Sequence, residues 1–168
     1  MVKIVTDTTL QAQLGKLVGL HAWGGCLAVD MLTIQFGEEK TVTRKDGIRT
    51  VGQMALHIQS PWRIAKKGTV VVGQQDYFSA DGEDEIHAVG DTVRQFLPDA
   101  SSEPLGIPTV RTVTVEPPAG ILMMLSKGLT IHVFPCAGIT ARDMEAWRLF
   151  EPDRDNGHFV VMSDGSLE

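Results

Sequence analysis

The chain has 168 residues, 15 basic and 21 acidic side chains, a net charge of −6 and a hydrophobic fraction of 43%. A chain of this size and apolar content folds around one substantial core, burying roughly 68–70% of its unfolded surface, and is not disordered. It has no run of 18 apolar residues that would make a helical membrane span, and its acid excess argues against wholesale nucleic-acid binding, which needs concentrated positive charge.

Along the chain, Leu10, Leu14, Leu17 and Val18 fit a short helix weakened by Gly15 and Gly19, or a strand through Leu20 and Trp23 broken at Gly24-Gly25. Within Cys26 to Phe36, Leu32, Ile34 and Phe36 alternate with Thr33 and Gln35, the period of a half-buried strand. Residues 38–52 are polar around the turn signal Asp46-Gly47, and either form a short hairpin or lie in a loop. Met54, Leu56 and Ile58 share one face of the next strand and Ala55, His57 and Gln59 the other, until Ser60-Pro61 stops it. Trp62-Arg63-Ile64 leads to the turn Lys66-Lys67-Gly68 and the β-branched run Thr69 to Val72.

Ile86, Val89, Val93, Phe96 and Leu97 recur at helical spacing and predict a helix over 84–97, capped by Asp81 or Asp84 and ended by Pro98. Residues 98–108 read as a linker. Then come a strand with Val110, Thr112 and Thr114 on one face, the turn Pro117-Pro118-Ala119-Gly120, and strands at Ile121–Leu125 and Leu129–Phe134. Residues 140–147 predict a helical turn or two capped by Thr140, and His158 to Met162 a final strand closed by Asp164-Gly165. Leu167 and Glu168 read as vector-derived and are set aside.

The two halves match. Met54-Ala-Leu-His-Ile-Gln59, a proline, Trp62-Arg63-Ile64 and Val70-Val-Val72 parallel Leu129-Thr-Ile-His-Val-Phe134, a proline, Trp147-Arg148-Leu149 and Phe159-Val-Val161. A unit this small cannot bury its own apolar face, so the copies must pack on each other. The expected fold is mainly β (α+β): duplicated antiparallel units in two sheets or one strongly curved sheet, with one covering helix at about 84–97. The expected organisation is a single domain over 1–168 with halves at about 14–75 and 109–162. The pattern Ser-Pro-Trp-Arg-Ile, Trp-Arg-Leu-Phe and His-Phe-Val-Val resembles a group of small bacterial proteins of uncharacterised function, over roughly residues 27–162. That resemblance implies no activity, ligand or site residue.

The candidate site residues are Arg63, Arg148, His57 and His132, with Trp62, Trp147, Pro61 and Pro135 as scaffold. The arginines either cross to carboxylates or strand-end carbonyls, or line a cleft between the halves and hold an anion. No metal or other cofactor is expected, because Asp76, Asp81, Glu83 and His158 have no ligand spacing. Ser60 lacks a nucleophile elbow. Cys136 stands four strand residues from His132, roughly 13 Å, far beyond nucleophile–base contact. Two cysteines without an export signal read as two buried thiols, with a disulfide only if the halves meet there, and the chain as cytoplasmic. Charge is uneven: seven basic residues against three acidic over 38–67, and six acidic against one basic over 81–99. The expected role is a non-enzymatic interaction protein, engaging a protein partner through a surface between the repeats. The rival is a ligand-binding domain or enzyme with an anion pocket between the halves. An exposed apolar patch favours the first and a deep pocket with convergent polar groups the second.

Overall fold

Period-two alternation over most of the chain produces antiparallel strands, each with one face in the core. The computed structural model describes residues 7–102, 106–136, 140, 143–155 and 157–168. The first half runs α1 (Asp7–Gly15), β1 (Ala22–Ala28), β2 (Met31–Phe36), β3 (Lys40–Arg44), β4 (Gly47–Val51), β5 (Met54–Ile58), β6 (Trp62–Lys66) and β7 (Thr69–Gly73). Then come α2 (Gln74–Ser79), α3 (Glu83–Phe96), β8 (Val110–Glu116), β9 (Gly120–Leu125), β10 (Leu129–Val133), β11 (Glu145–Phe150) and β12 (Phe159–Met162). One sheet has the order β1-β2-β5-β11-β12 and the other β7-β6-β10-β9-β8, while β3 and β4 form a separate ribbon.

Each half therefore lends a three-stranded meander to one sheet and a two-stranded hairpin to the other. The register of the two crossings is the same. Trp147 pairs with Ile58 and Arg148 with His57, as Trp62 pairs with Val133 and Arg63 with His132. The corners also match, since Gln59 N–H donates to Ala146 O and Phe134 N–H to Pro61 O. Both tryptophans are fully buried. The Trp62 indole donates to Asp30 O at 3.1 Å and that of Trp147 to Ala119 O at 2.8 Å. Asp30 and Ala119 each lie two residues before the strand position, Leu32 or Ile121, that faces Ile58 or Val133. Each tryptophan thus ties its hairpin back to the meander of its own half, across the core.

The halves meet end to end where β1 and β8 begin. Ala22 N–H donates to Pro108 O and Val110 N–H to Leu20 O, one bond type read from either half, with His21 and Thr109 bridged between them. The helices continue the exchange: α1 precedes the first meander yet packs on β8, and α3 precedes the second yet packs on β1. The Gln11 side chain completes the β8 edge, its Nε2 donating to Val113 O and its Oε1 accepting from Val115 N–H. Such capping removes a free edge that would otherwise template further pairing. The C-terminal residues do the same for β12: Leu167 bridges Val161 and packs on the core. Leu167 therefore takes part in the packing of this sheet.

Several expectations need correction. Residues 7–15 are helical, and β1 then runs through Gly24-Gly25 with a bulge between Trp23 and Cys26 instead of breaking there. Cys26 to Phe36 is a hairpin turning at Val29-Asp30, not one strand. The polar 38–52 segment is the β3–β4 hairpin, and α2 was not foreseen. A bulge in β8 after Val110 turns both Val110 and Val113 inward, breaking the simple alternation. Glu145 to Trp147 is strand because Trp147 must face the core across from Ile58; residues 141–142 of the expected helical turn lie outside the described residues. The α3 cap is Gly82, with no side-chain bond, while Glu85 accepts the Asp81 N–H. The helix buries Val93 and Leu97 most deeply, at the spot on β1 where Gly25 leaves room for both side chains. Ile86, Val89 and Phe96 are only partly buried. Both cysteines are free and exposed, contrary to the buried-thiol reading: each stands where the chain leaves the core, Cys26 on an outward strand position and Cys136 beyond the end of β10.

Candidate functional site

Inward tryptophans at 62 and 147 force their successors outward, because adjacent strand residues point to opposite faces. Arg63 and Arg148 therefore stand on the outer faces of different sheets. The register sets one histidine beside each, giving the row Cys26–Thr33–His57–Arg148–Val160 across the first sheet and Gly73–Arg63–His132–Leu122–Thr114 across the second. The structure thus unites Arg148 with His57, and Arg63 with His132. It does not bring the four residues together, and no shared anion cleft forms from them, since a packed core separates the two faces.

On the first sheet, Arg148 is engaged through all three of its guanidinium nitrogens. Its Nε donates to Glu145 Oε1 at 2.6 Å, its Nη2 to Glu145 Oε2, and its Nη1 contacts His158 Nδ1 at 3.4 Å. Glu145 and Arg148 are three apart, which in a regular strand would put them on opposite faces. The bulge between Glu145 and Trp147 brings them to the same side. Burial pushes the Glu145 carboxyl up, but hydrogen bonds and charge from Arg148, with help from Gln59, hold it below the usual carboxylate range. The Glu145 hydrogen bond raises Arg148 further. His57 lies lower than an ordinary histidine because of burial, then the charges of Arg148 and His158, against an opposing pull from Glu145. Phe150 packs edge-on to His57 at 4.8 Å and stacks on His158 at 4.4 Å.

The second sheet assembles the same residue types in another order. Glu116 bonds to His132 Nε2, and His132 Nδ1 lies 3.1 Å from Arg63 Nη2. Arginine only donates, so Nδ1 accepts and the ring proton sits on Nε2, facing the carboxylate. Phe134 packs against His132 at 5.3 Å and lies under the Arg63 guanidinium at 5.5 Å. Arg63 is exposed and forms no salt bridge among the described residues, so most of its donors face water.

Around these seams the faces differ. On the first sheet, Ala55 and Val160 are buried although they point outward. The β3–β4 hairpin flanks this face, tied to the β11–β12 loop by Lys40–Asp153 at 2.8 Å and Arg44–Asp155 at 3.3 Å. Between hairpin and sheet lies a polar concavity of about 620 Å³, walled by Cys26, Thr33, Gln35, Glu39, Arg49 and Asp99. On the second sheet none of the outward residues Arg63, Ala65, Val70, Thr112, Leu122, Met124, Thr130 or His132 is buried. Val70 and Met124 are each 51% exposed and Phe134 38%. No metal-ligating cluster is found among the described residues.

Sequence reasoning missed Glu116, Glu145, Phe134 and Phe150, the partners of the four candidates. Glu116 had no signal short of knowing the strand order, and Glu145 depends on a bulge. No family model matches this chain, nor does any curated protein or solved structure.

Proposed function

We propose that this chain is a non-enzymatic binding protein that engages a protein partner on the outer face of the sheet β7-β6-β10-β9-β8, across the seam between its halves. The observation that carries this reading is the uncovered apolar row on that face, Val70 and Met124 with Ala65 between them, beside an arginine whose donors are mostly unused. Exposed apolar side chains grouped on one face mark an interaction surface. The equivalent face of the other sheet buries its outward apolar residues Ala55 and Val160 and is flanked by a hairpin, which supports assigning the role to one face only.

The test is site-specific photocrosslinking in cells, with a photoreactive phenylalanine analogue at position 124 or, on the opposite face, at position 26. The expected result is a discrete adduct from position 124 alone. Excess unlabelled parent chain displaces it, and excess Met124→Glu chain does not. Equal adducts at both positions, no adduct at 124, or an adduct that the parent chain cannot displace would each defeat the reading.

A further inference from the structure

The outer face of the second sheet differs from that of the first in charge as well as in apolar exposure. The second sheet's two stretches, residues 62–73 and 110–133, hold five basic residues against Glu116 alone, while the remainder of the chain holds ten basic against twenty acidic. Counted over strands alone, the first sheet carries only Glu145 and Arg148, which neutralise each other, against Arg63, Lys66, Arg111 and Glu116 on the strands of the second. Within the second sheet, Glu116 is taken by His132, and Lys66 sits over the Phe96 ring at 5.6 Å. Arg63, Lys67, Arg111 and Lys127 form no salt bridge among the described residues.

Their placement is ordered. The row Val70–Ala65–Thr130–Met124–Thr112 crosses all five strands. Arg63 lies two residues to one side of it along β6. On the other side are the turns of Lys67 and Lys127, joined by the Lys67 N–H to Gly128 O bond at 2.8 Å. Arg111 stands beside the Thr112 end. An uncharged, partly apolar strip thus has the Arg63 guanidinium beside it on one long side and Arg111 at its Thr112 end. Five strands at about 4.8 Å spacing make the strip about 19 Å long, the span of roughly six extended residues.

We propose that the partner supplies an acidic extended segment, with apolar side chains at alternate positions, that lies along this strip. Its apolar residues pack on Val70, Ala65 and Met124, and its carboxylates meet Arg63 beside the strip and Arg111 at its end. A guanidinium with free donors suits a carboxylate better than a diffuse anion field, because its fork pairs two oxygens at once. A single-stranded nucleic acid fits less well: such partners need stacking platforms, and the strip itself carries no aromatic ring. The proposal rests on the face assignment made above and adds the chemistry of its occupant.

The test uses a fluorescein-labelled twelve-residue peptide of repeated Glu-Leu-Asp-Val, its Lys-Leu-Lys-Val counterpart, and a dT12 oligonucleotide, with anisotropy read against the full chain. The acidic peptide alone is expected to bind, with affinity falling at least tenfold between 50 and 300 mM salt. Arg63→Gln, and separately Met124→Gln, should each weaken it by about tenfold, the effect of one lost charge-assisted bond or one exposed apolar contact. Cys26→Ser on the other face should change nothing. No binding of the acidic peptide, binding unaffected by Arg63→Gln and Met124→Gln, or stronger binding of dT12 would each overturn the proposal. Failure here alongside a displaceable crosslink at position 124 would leave the face assignment standing and remove only the acidic occupant.

Discussion

The two seams start from one register and end as different surfaces. In both, a buried tryptophan sets an arginine outward beside a histidine from the other half, and a glutamate and a phenylalanine complete the group. In the first sheet the glutamate grips the arginine, leaving the histidine partly buried without that carboxylate. In the second the glutamate grips the histidine, and the arginine is left to solvent. Duplication thus preserves the inward half of the pattern, where packing allows one solution, and leaves the outward half free to diverge. Inward identity speaks of the fold, and outward difference of what each face does.

The largest expected effect tests the inward equivalence. Trp62→Ala and Trp147→Ala each remove a fully buried ring and its tie to a turn carbonyl, and each should cost about 3–5 kcal/mol. Equivalent packing predicts that the two losses agree within about 1 kcal/mol in urea unfolding. A much smaller loss at one position would show that the halves share topology without sharing the load.

A middle-sized effect tests the outward difference. Arg148→Lys keeps the charge but loses the planar fork that both Glu145 oxygens accept, and Glu145 is only 12% exposed. A cost of about 1–2 kcal/mol is expected from the poorly satisfied carboxylate. Arg63→Lys meets a histidine at an exposed site and should stay within about 0.5 kcal/mol of the parent. Equal costs at both positions would erase the distinction between a structural and an available arginine, and would weaken the case for the second face.

What could be read beforehand follows the same division. Strand after strand was visible because a core-facing side chain must be apolar at every second position, as at Leu32, Ile34 and Phe36. The repeat was visible because Trp62 and Trp147 solve one packing problem twice. The helix at 83–96 announced itself by its stripe of Ile86, Val89, Val93, Phe96 and Leu97, but which of them go deepest, Val93 and Leu97, is set by the room opposite Gly25. Bulges in β1, β8 and β11 were invisible, since an extra residue changes which side chains face inward without altering local composition. The pairing of halves across sheets was invisible too. Of the two alternatives for Arg63 and Arg148, only register could exclude the shared cleft, because it sends them to opposite faces, while Arg148 pairs with a carboxylate of its own half.

The smallest expected effect concerns pH, and it isolates the first seam. His57 has a folded-state pKa below its unfolded value of about 6.5, through burial first and the Arg148 charge second. The unfolded chain therefore binds the His57 proton more readily than the folded one, and stability must rise with pH where that difference operates. The contribution is complete above about pH 6.5 and is lost as pH falls from there toward the folded pKa. Glu145 acts with the same sign in a lower window, its stabilisation present above the unfolded carboxylate value and lost as pH falls through the depressed folded one. Urea midpoints of the parent should therefore decline between pH 7 and 5, before carboxylates protonate, and His57→Gln should flatten that decline. Glu145→Gln should steepen it, because the carboxylate is the one group that pulls the His57 pKa upward. If His57→Gln leaves the slope of the parent unchanged, burial beside Arg148 does not govern this histidine.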